Sequence, residues 1–66
     1  MKKEALAEAL GISKVKRTII DDIVEAIDND NDKQACVAMG TYLTLFGKMN
    51  GAETDYTIAL IEKRVE

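Results

Sequence analysis

The side chains that could do chemistry in this chain are few and poorly arranged for catalysis. The sequence has no histidine, the side chain that most often serves as a general base near neutral pH. Its one cysteine, Cys36, lies in an apolar stretch with no imidazole available to activate it. The carboxylates of Asp21 and Asp22 would point about 100° apart on a helix, so they cannot easily share one substrate atom. We therefore expect a protein that is not an enzyme.

Three aspartates share a spacing that is found in calcium-binding loops. Asp28, Asp30 and Asp32 alternate as the first ligands of an EF-hand do. The rest of the loop is missing, because Lys33 stands where glycine is needed and Met39 stands where a bidentate glutamate is needed. The run is more typical of an acidic, solvated turn, and we expect no metal, no cofactor and no small-molecule substrate.

Residues 6–13, LAEALGIS, resemble the first helix and the turn of a helix-turn-helix DNA-binding motif. The small Ala7 would let two helices cross closely, Gly11 would make the turn, and Ser13 would cap the following helix. The match departs at Arg17, where the motif has an aliphatic residue buried between the helices. The resemblance implies a DNA-binding regulator as an alternative function.

In this alternative, residues 5–20 would bind DNA through basic side chains. Two cations precede or begin the first helix, and three lie on the first turn of the second. The candidate contacts to phosphate or to base edges are Lys2, Lys3, Lys14, Lys16 and Arg17. Asp21 and Asp22 follow on the same helix and would repel phosphate, so a plain helical hairpin with solvated lysines is the competing interpretation.

Four segments of helical periodicity, separated by short turns, must position these side chains. They predict an all-α fold, a small four-helix bundle that forms a single domain over residues 1–66. The predicted helices span about 2–10, 14–28, 33–49 and 54–65. Gly11 is predicted to end the first helix, and Asn50-Gly51 to end the third, with Gly51 in the left-handed conformation.

The third predicted helix is the element around which the chain is organised. One half of its cylinder is apolar, and its residues are Ala35, Ala38, Met39, Tyr42, Leu43, Leu45, Phe46 and Met49. Cys36, Gly40 and Gly47 line a border of this face, and a glycine inside a helix costs up to about 1 kcal/mol relative to alanine. These small residues allow close approach of a neighbouring helix, which belongs either to the same chain or to a second copy.

The small size of the domain favours burial shared with another chain. A 66-residue domain buries only about 60% of its unfolded surface, and three of the helices have apolar arcs half a cylinder wide. We predict a regulatory or adaptor protein that acts by protein–protein contact, with itself as a homodimer or higher oligomer and with another protein. The residues assigned to this contact are Cys36, Gly40, Leu43, Gly47 and Met49.

The net charge of −3 conceals an uneven distribution. Residues 1–17 hold five Lys or Arg and two Glu, whereas residues 18–32 hold six Asp or Glu and no basic residue. The acidic segment is suited to steering the protein towards a basic partner surface. The absence of a signal-peptide pattern and of an apolar run of about 20 residues predicts a cytoplasmic protein that does not span a membrane.

Overall fold

The computed structural model describes residues 2–66 and folds them into four α-helices. They are α1 (Lys3–Ala9), α2 (Lys14–Asp28), α3 (Asp32–Phe46) and α4 (Gly51–Ile61). No strand occurs in this described range, so the predicted all-α fold is confirmed. Met1, part of the predicted domain, lies outside the described residues. The most extensive contact is between α2 and α3, while α4 packs on α2 and α1 packs on α4.

The turn between α1 and α2 has the geometry that the sequence predicts. Gly11 adopts a left-handed φ of +72°, and the Ser13 side chain accepts a hydrogen bond from the backbone N–H of Lys16 at 3.3 Å. Ile12 donates its backbone N–H to the carbonyl of Ala7 at 2.9 Å, and both of these side chains are buried. The turn is therefore anchored in the core and not merely a connection.

The hydrogen bonds at the ends of α2 and α4 follow the same pattern as those at the end of α1, but the left-handed residue is not a glycine. Asp30 and Lys63 take the left-handed conformation, with φ of +54° and +58°. After α4, the N–H of Arg64 bonds to the carbonyl of Ala59 and the N–H of Lys63 bonds to that of Leu60. This is the Schellman arrangement, and it ends α4 at Ile61, four residues before the predicted end.

The boundary between α3 and α4 also differs from the prediction. It is Gly47, with φ of +77°, and not Gly51 that takes the left-handed conformation and follows the last residue of α3. The Asn50 side chain accepts from the backbone N–H of Glu53 at 2.8 Å, and the Glu53 carboxylate accepts from that of Asn50 at 3.2 Å. This reciprocal capping box starts α4 at Gly51, so the prediction that Asn50-Gly51 ends α3 was wrong.

The core lies between α2, α3 and α4. Its largest fully buried side chains are Ile20, Tyr42 and Tyr56, one from each of these helices. The rings of Tyr42 and Phe46 pack at a centroid distance of 5.2 Å and an angle of 59°. Aromatic pairs at this distance and tilt add about 0.5–1.5 kcal/mol beyond the burial of their area. Both rings belong to α3, so the pair stiffens this helix where it packs against the core.

Candidate protein-interaction surface

The outward side of α3 is uncharged after its first two residues, Asp32 and Lys33. No Asp, Glu, Lys or Arg occurs between Lys33 and Lys48, anywhere around the helix. Ala35, Ala38 and Tyr42 face the core, and the side away from it is exposed. We call this side the outer α3 face; its residues are Cys36, Val37, Gly40, Thr41, Leu43, Thr44 and Leu45. A helix on a protein surface normally carries charged residues opposite its apolar stripe along its length, and α3 carries them only at its start.

The predicted apolar half of this helix is only partly buried. Leu43 and Leu45 remain 58% and 60% exposed, and Met39 is exposed as well. Part of the apolar half-cylinder therefore faces away from the core. The reason is that α3 has one extensive helix neighbour in the described chain, α2, which covers a narrower arc than half of the cylinder.

An apolar groove opens between α2, α3 and α4 beside the outer α3 face. It has a volume of about 280 Å³ and is lined by Ile23, Ile27, Met39, Tyr42, Leu43, Met49, Thr57 and Ile61. Both hydroxyl groups in this lining are engaged, that of Tyr42 with Glu53 and that of Thr57 with the Glu53 carbonyl at 2.8 Å. The groove therefore offers shape and apolar surface to a ligand, and Leu43 joins it to the outer α3 face.

The five residues predicted for protein contact divide into three groups. Cys36, Gly40 and Leu43 lie together on the exposed outer face. Met49 falls in the loop after α3, where it lines the groove with its Sδ 3.7 Å from the Thr57 hydroxyl. Gly47 lies beyond the end of α3. Its positive φ accounts for the presence of a glycine at this position, and close packing between helices does not.

Gly40 has no structural partner in the described part of the chain. A Cβ placed on it would meet nothing within 4 Å. The interpretation in which α3 packs closely at this glycine against another helix of the same chain is therefore wrong. Contact of this glycine with a second chain stays a prediction.

A buried carboxylate, Glu53, ties α4 to α2 and α3 at one end of the core. It is only 4% exposed and accepts hydrogen bonds from the Lys16 ammonium at 2.6 Å and from the Tyr42 hydroxyl. The Lys16 ammonium is also 5.3 Å from the centroid of the Phe46 ring, within the range of a cation–π contact. Sequence reasoning missed Glu53, although the Asn50-x-x-Glu53 spacing of a capping box could have pointed to it.

The charges in this network shift both acidic groups. Hydrogen bonds from Lys16 and then from Tyr42 hold the pKa of the Glu53 carboxyl below its usual value. Burial, reinforced by the hydrogen bond to Glu53, raises the pKa of Tyr42 to about 12. The fold therefore holds Glu53 ionised and Tyr42 neutral. Ionised Glu53 and its ammonium partner act as an internal clamp, since neither charge is directed to an outside ligand.

The five cations predicted to contact DNA have different environments. Lys16 is held by Glu53, and Lys3 pairs with Asp21 at 3.3 Å. Arg17 is half-buried, and its Nε has no hydrogen-bond partner within residues 2–66. Lys2 and Lys14 are exposed. The geometry thus leaves fewer cations free for phosphate than the sequence alone indicates.

The acidic residues do not converge on a site. Asp28, Asp30 and Asp32 are exposed, and Asp28 pairs with Lys63 at 3.5 Å. Among residues 2–66, no three His, Cys, Asp or Glu side chains are grouped so that they could hold a metal ion. The exposed surface that remains as a candidate is therefore the apolar one.

Comparison of the chain with protein-family models, with curated proteins and with solved structures finds no match. Within the described chain, no helix combines the length and the apolar character needed to cross a bilayer. Function must therefore be inferred from the geometry and the chemistry of the surface.

Proposed function

We propose that this protein is a small, non-enzymatic regulatory or adaptor protein that acts by contact with protein chains, including copies of itself. The contact uses the outer α3 face and the adjoining apolar groove. The observation that carries the proposal is where the exposed large apolar residues lie. Four of the seven in the described chain belong to α3: Val37, Met39, Leu43 and Leu45.

The physical argument is that α3 has the composition of a helix with neighbours on more than one side. A helix that is apolar around most of its circumference is stable when it is surrounded by protein. In this chain α2 supplies one extensive neighbour, and the opposite side is left in water. Covering it would remove apolar area from water at about 25 cal/mol per Å². A second protein chain is the partner that fits this chemistry.

The acidic surface of α2 and of the following turn supports a second element of the proposal. Asp22, Glu25, Asp30 and Asp32 are exposed along this segment. We expect it to accelerate encounter with a basic partner surface, and this acceleration should fall as ionic strength rises. We also assign the protein to the cytoplasm, which suits its exposed, unpaired Cys36.

Sedimentation velocity over a range of concentrations tests the proposal. Leu43→Asp places a charge at the junction of the outer face and the groove, and Val15→Asp is its matched control. Val15 is exposed to 59% against 58% for Leu43, but it lies on α2. We expect the wild-type protein and Val15→Asp to associate with rising concentration and Leu43→Asp to remain monomeric. A wild-type protein that stays monomeric throughout would contradict self-association.

A DNA-binding regulator built on residues 5–20 is the second candidate function. The observation that favours it is the α1–α2 turn, in which Gly11 has a left-handed φ and Ser13 caps α2, as the resemblance to a helix-turn-helix predicts. Fluorescence anisotropy with duplex DNA at several salt concentrations tests this candidate. Binding should weaken with a log–log slope of about 0.9 per phosphate contact, and Lys14→Glu should reduce that slope while Lys48→Glu should not. The absence of saturable binding at low salt would remove this candidate.

A further inference from the structure

We infer that α1 and α4 form one unit that opens away from α2 and α3 while those two helices stay packed. Opening removes the α4 wall of the apolar groove and uncovers side chains of α2 and α3 that the closed form hides. Proteins open in such cooperative units at free energies below that of global unfolding. The motion belongs to the single chain, so it goes beyond the proposed function and does not depend on it.

α1 and α4 are held to each other. α1 packs on α4, and the backbone N–H of Lys3 donates to the carbonyl of Glu66 at 2.8 Å. The two helices have only 7 and 11 residues. Isolated helices shorter than about 12–15 residues are marginal in water, so neither helix is stable without its neighbours. We therefore expect α1 and α4 to leave the core together and to lose their helical hydrogen bonds when they do.

Ion pairs attach this unit to α2. Within residues 2–66, the ion pairs between distant parts of the chain are Lys3–Asp21 at 3.3 Å, Lys16–Glu53 at 2.6 Å and Lys63–Asp28 at 3.5 Å. Each pair joins α2 to α1, to α4 or to the turn after α4, and in this described range none joins α2 to α3. Water screens exposed pairs and leaves them weak, and Glu53 alone among these six side chains is buried.

The seam between α2 and α3 is apolar and more extensive than the contact between α2 and α4. Its buried side chains include Val24 and Ala26 of α2 and Ala35 and Ala38 of α3. Each of these helices has 15 residues, twice the length of α1. Hydrophobic attraction grows with the apolar area removed from water. The chain should therefore part first between α2 and α4, and the pair of α2 and α3 should outlast that opening.

Glu53 is the residue that keeps the unit closed. It lies in the first turn of α4 and is buried, and it receives hydrogen bonds from Lys16 of α2 and from Tyr42 of α3. Both partners lie outside α4, so these bonds break when α4 leaves. Its bond with the backbone N–H of Asn50 is local and has no part in docking.

Opening changes the apolar groove. Ile23 and Ile27 of α2 and Tyr42 of α3 line it on one side, and Thr57 and Ile61 line it from α4. In the closed form Ile23 and Tyr42 are 2% and 1% exposed. When α4 leaves, the groove of about 280 Å³ becomes a continuous apolar face of α2 and α3. A ligand that binds only this face would shift the chain towards the open form by mass action.

Native-state hydrogen exchange, measured by NMR for single amides in low concentrations of urea, tests the motion. We expect the slowest amides of α1 and α4 to share one protection factor and one weak urea dependence. Their protection should be lower by about tenfold or more than that of the slowest amides of α2 and α3, which exchange only through global unfolding. Equal protection and equal urea dependence in all four helices would overturn the inference.

Ala35→Gly separates the two openings. Ala35 is buried on α3, and its contacts persist when α1 and α4 leave. Glycine in a helix should lower the protection of α2 and α3 by about fivefold and leave that of α1 and α4 unchanged. An equal loss in all four helices would show that the chain opens as a single unit, and the inference would fail.

Glu53→Gln has the complementary effect. Its bonds to Lys16 and Tyr42 are broken both in the open form and in the unfolded chain, so protection should fall by the same factor in all four helices. Glu25→Gln, on the exposed side of α2, is the control and should change no protection factor. Unchanged protection of α1 and α4 in Glu53→Gln would show that this carboxylate does not hold the unit closed.

Discussion

The helices α2 and α3 are equal in length and pack on each other, yet their outward surfaces are opposite in character. The exposed side of α2 carries acidic residues such as Asp22 and Glu25. The exposed side of α3 carries Val37, Gly40 and Leu43, and no charge occurs on it after Lys33. In α2 the apolar face lies in the core and the charged face lies in water, so this helix needs no further partner. In α3 an apolar face is left exposed, and a second chain could bury it.

The largest effects should come from the seam where the two helices meet. Ile20→Ala removes a fully buried side chain of α2 and should lower the free energy of unfolding by about 2–5 kcal/mol. Leu43→Ala, on the exposed side of α3, should change the stability of the monomer by no more than about 0.5 kcal/mol. Urea denaturation below the Kd of any dimer measures both. Equal losses would show that Leu43 is part of the core.

The next effect concerns the clamp that joins α2 and α3 through α4. Glu53→Gln removes the carboxylate that receives Lys16 and should cost about 1–3 kcal/mol, since Lys16 is partly exposed and water screens its charge. Thermal unfolding at neutral pH measures it. Glu25→Gln, an exposed residue on the same side of the molecule as the other α2 acids, serves as the control and should change little.

The Glu53 carboxylate also makes the free energy of unfolding depend on pH in the acid range. Lys16 and Tyr42 lower the pKa of Glu53 in the folded state, so the unfolded chain binds its proton at a higher pH. Stability from this group is therefore complete above the unfolded pKa of about 4.3 and is lost as pH falls through the folded pKa. Melting temperatures between pH 7 and pH 3 should fall more steeply in the wild-type protein than in Glu53→Gln. Parallel curves would mean that the pKa of Glu53 is the same in the folded and the unfolded chain.

A smaller effect is expected at the turn between the two helices. Asp30 holds a left-handed φ of +54° there, which glycine adopts without steric penalty. Asp30→Gly should raise the stability of the monomer by up to about 1 kcal/mol, whereas Gly11→Ala, at the equivalent position after α1, should lower it. Neither substitution touches the outer α3 face, so neither should alter association. Chemical denaturation and sedimentation together check this.

Much of the local structure could be read from the sequence, because its signals are local. Gly11 and Ser13 mark a turn through their own backbone and side-chain preferences, and the structure confirms it. The boundary after α3 was harder, because Asn50-Gly51 fits either a helix end or a helix start. What decides it is the Glu53 carboxylate, which bonds back to Asn50 while it is held by Lys16 from another helix.

The sequence by itself determined that the chain would be helical and that one helix would be uncharged around its whole circumference between Lys33 and Lys48. Only the tertiary structure decided which side of that helix meets the core. The physical reason is that a helix apolar on all sides has no polar stripe to define its rotation, so the position of its neighbours must define it. Packing against α2 turned Tyr42 inward and left Gly40 and Leu43 outward, and this created the candidate interaction surface.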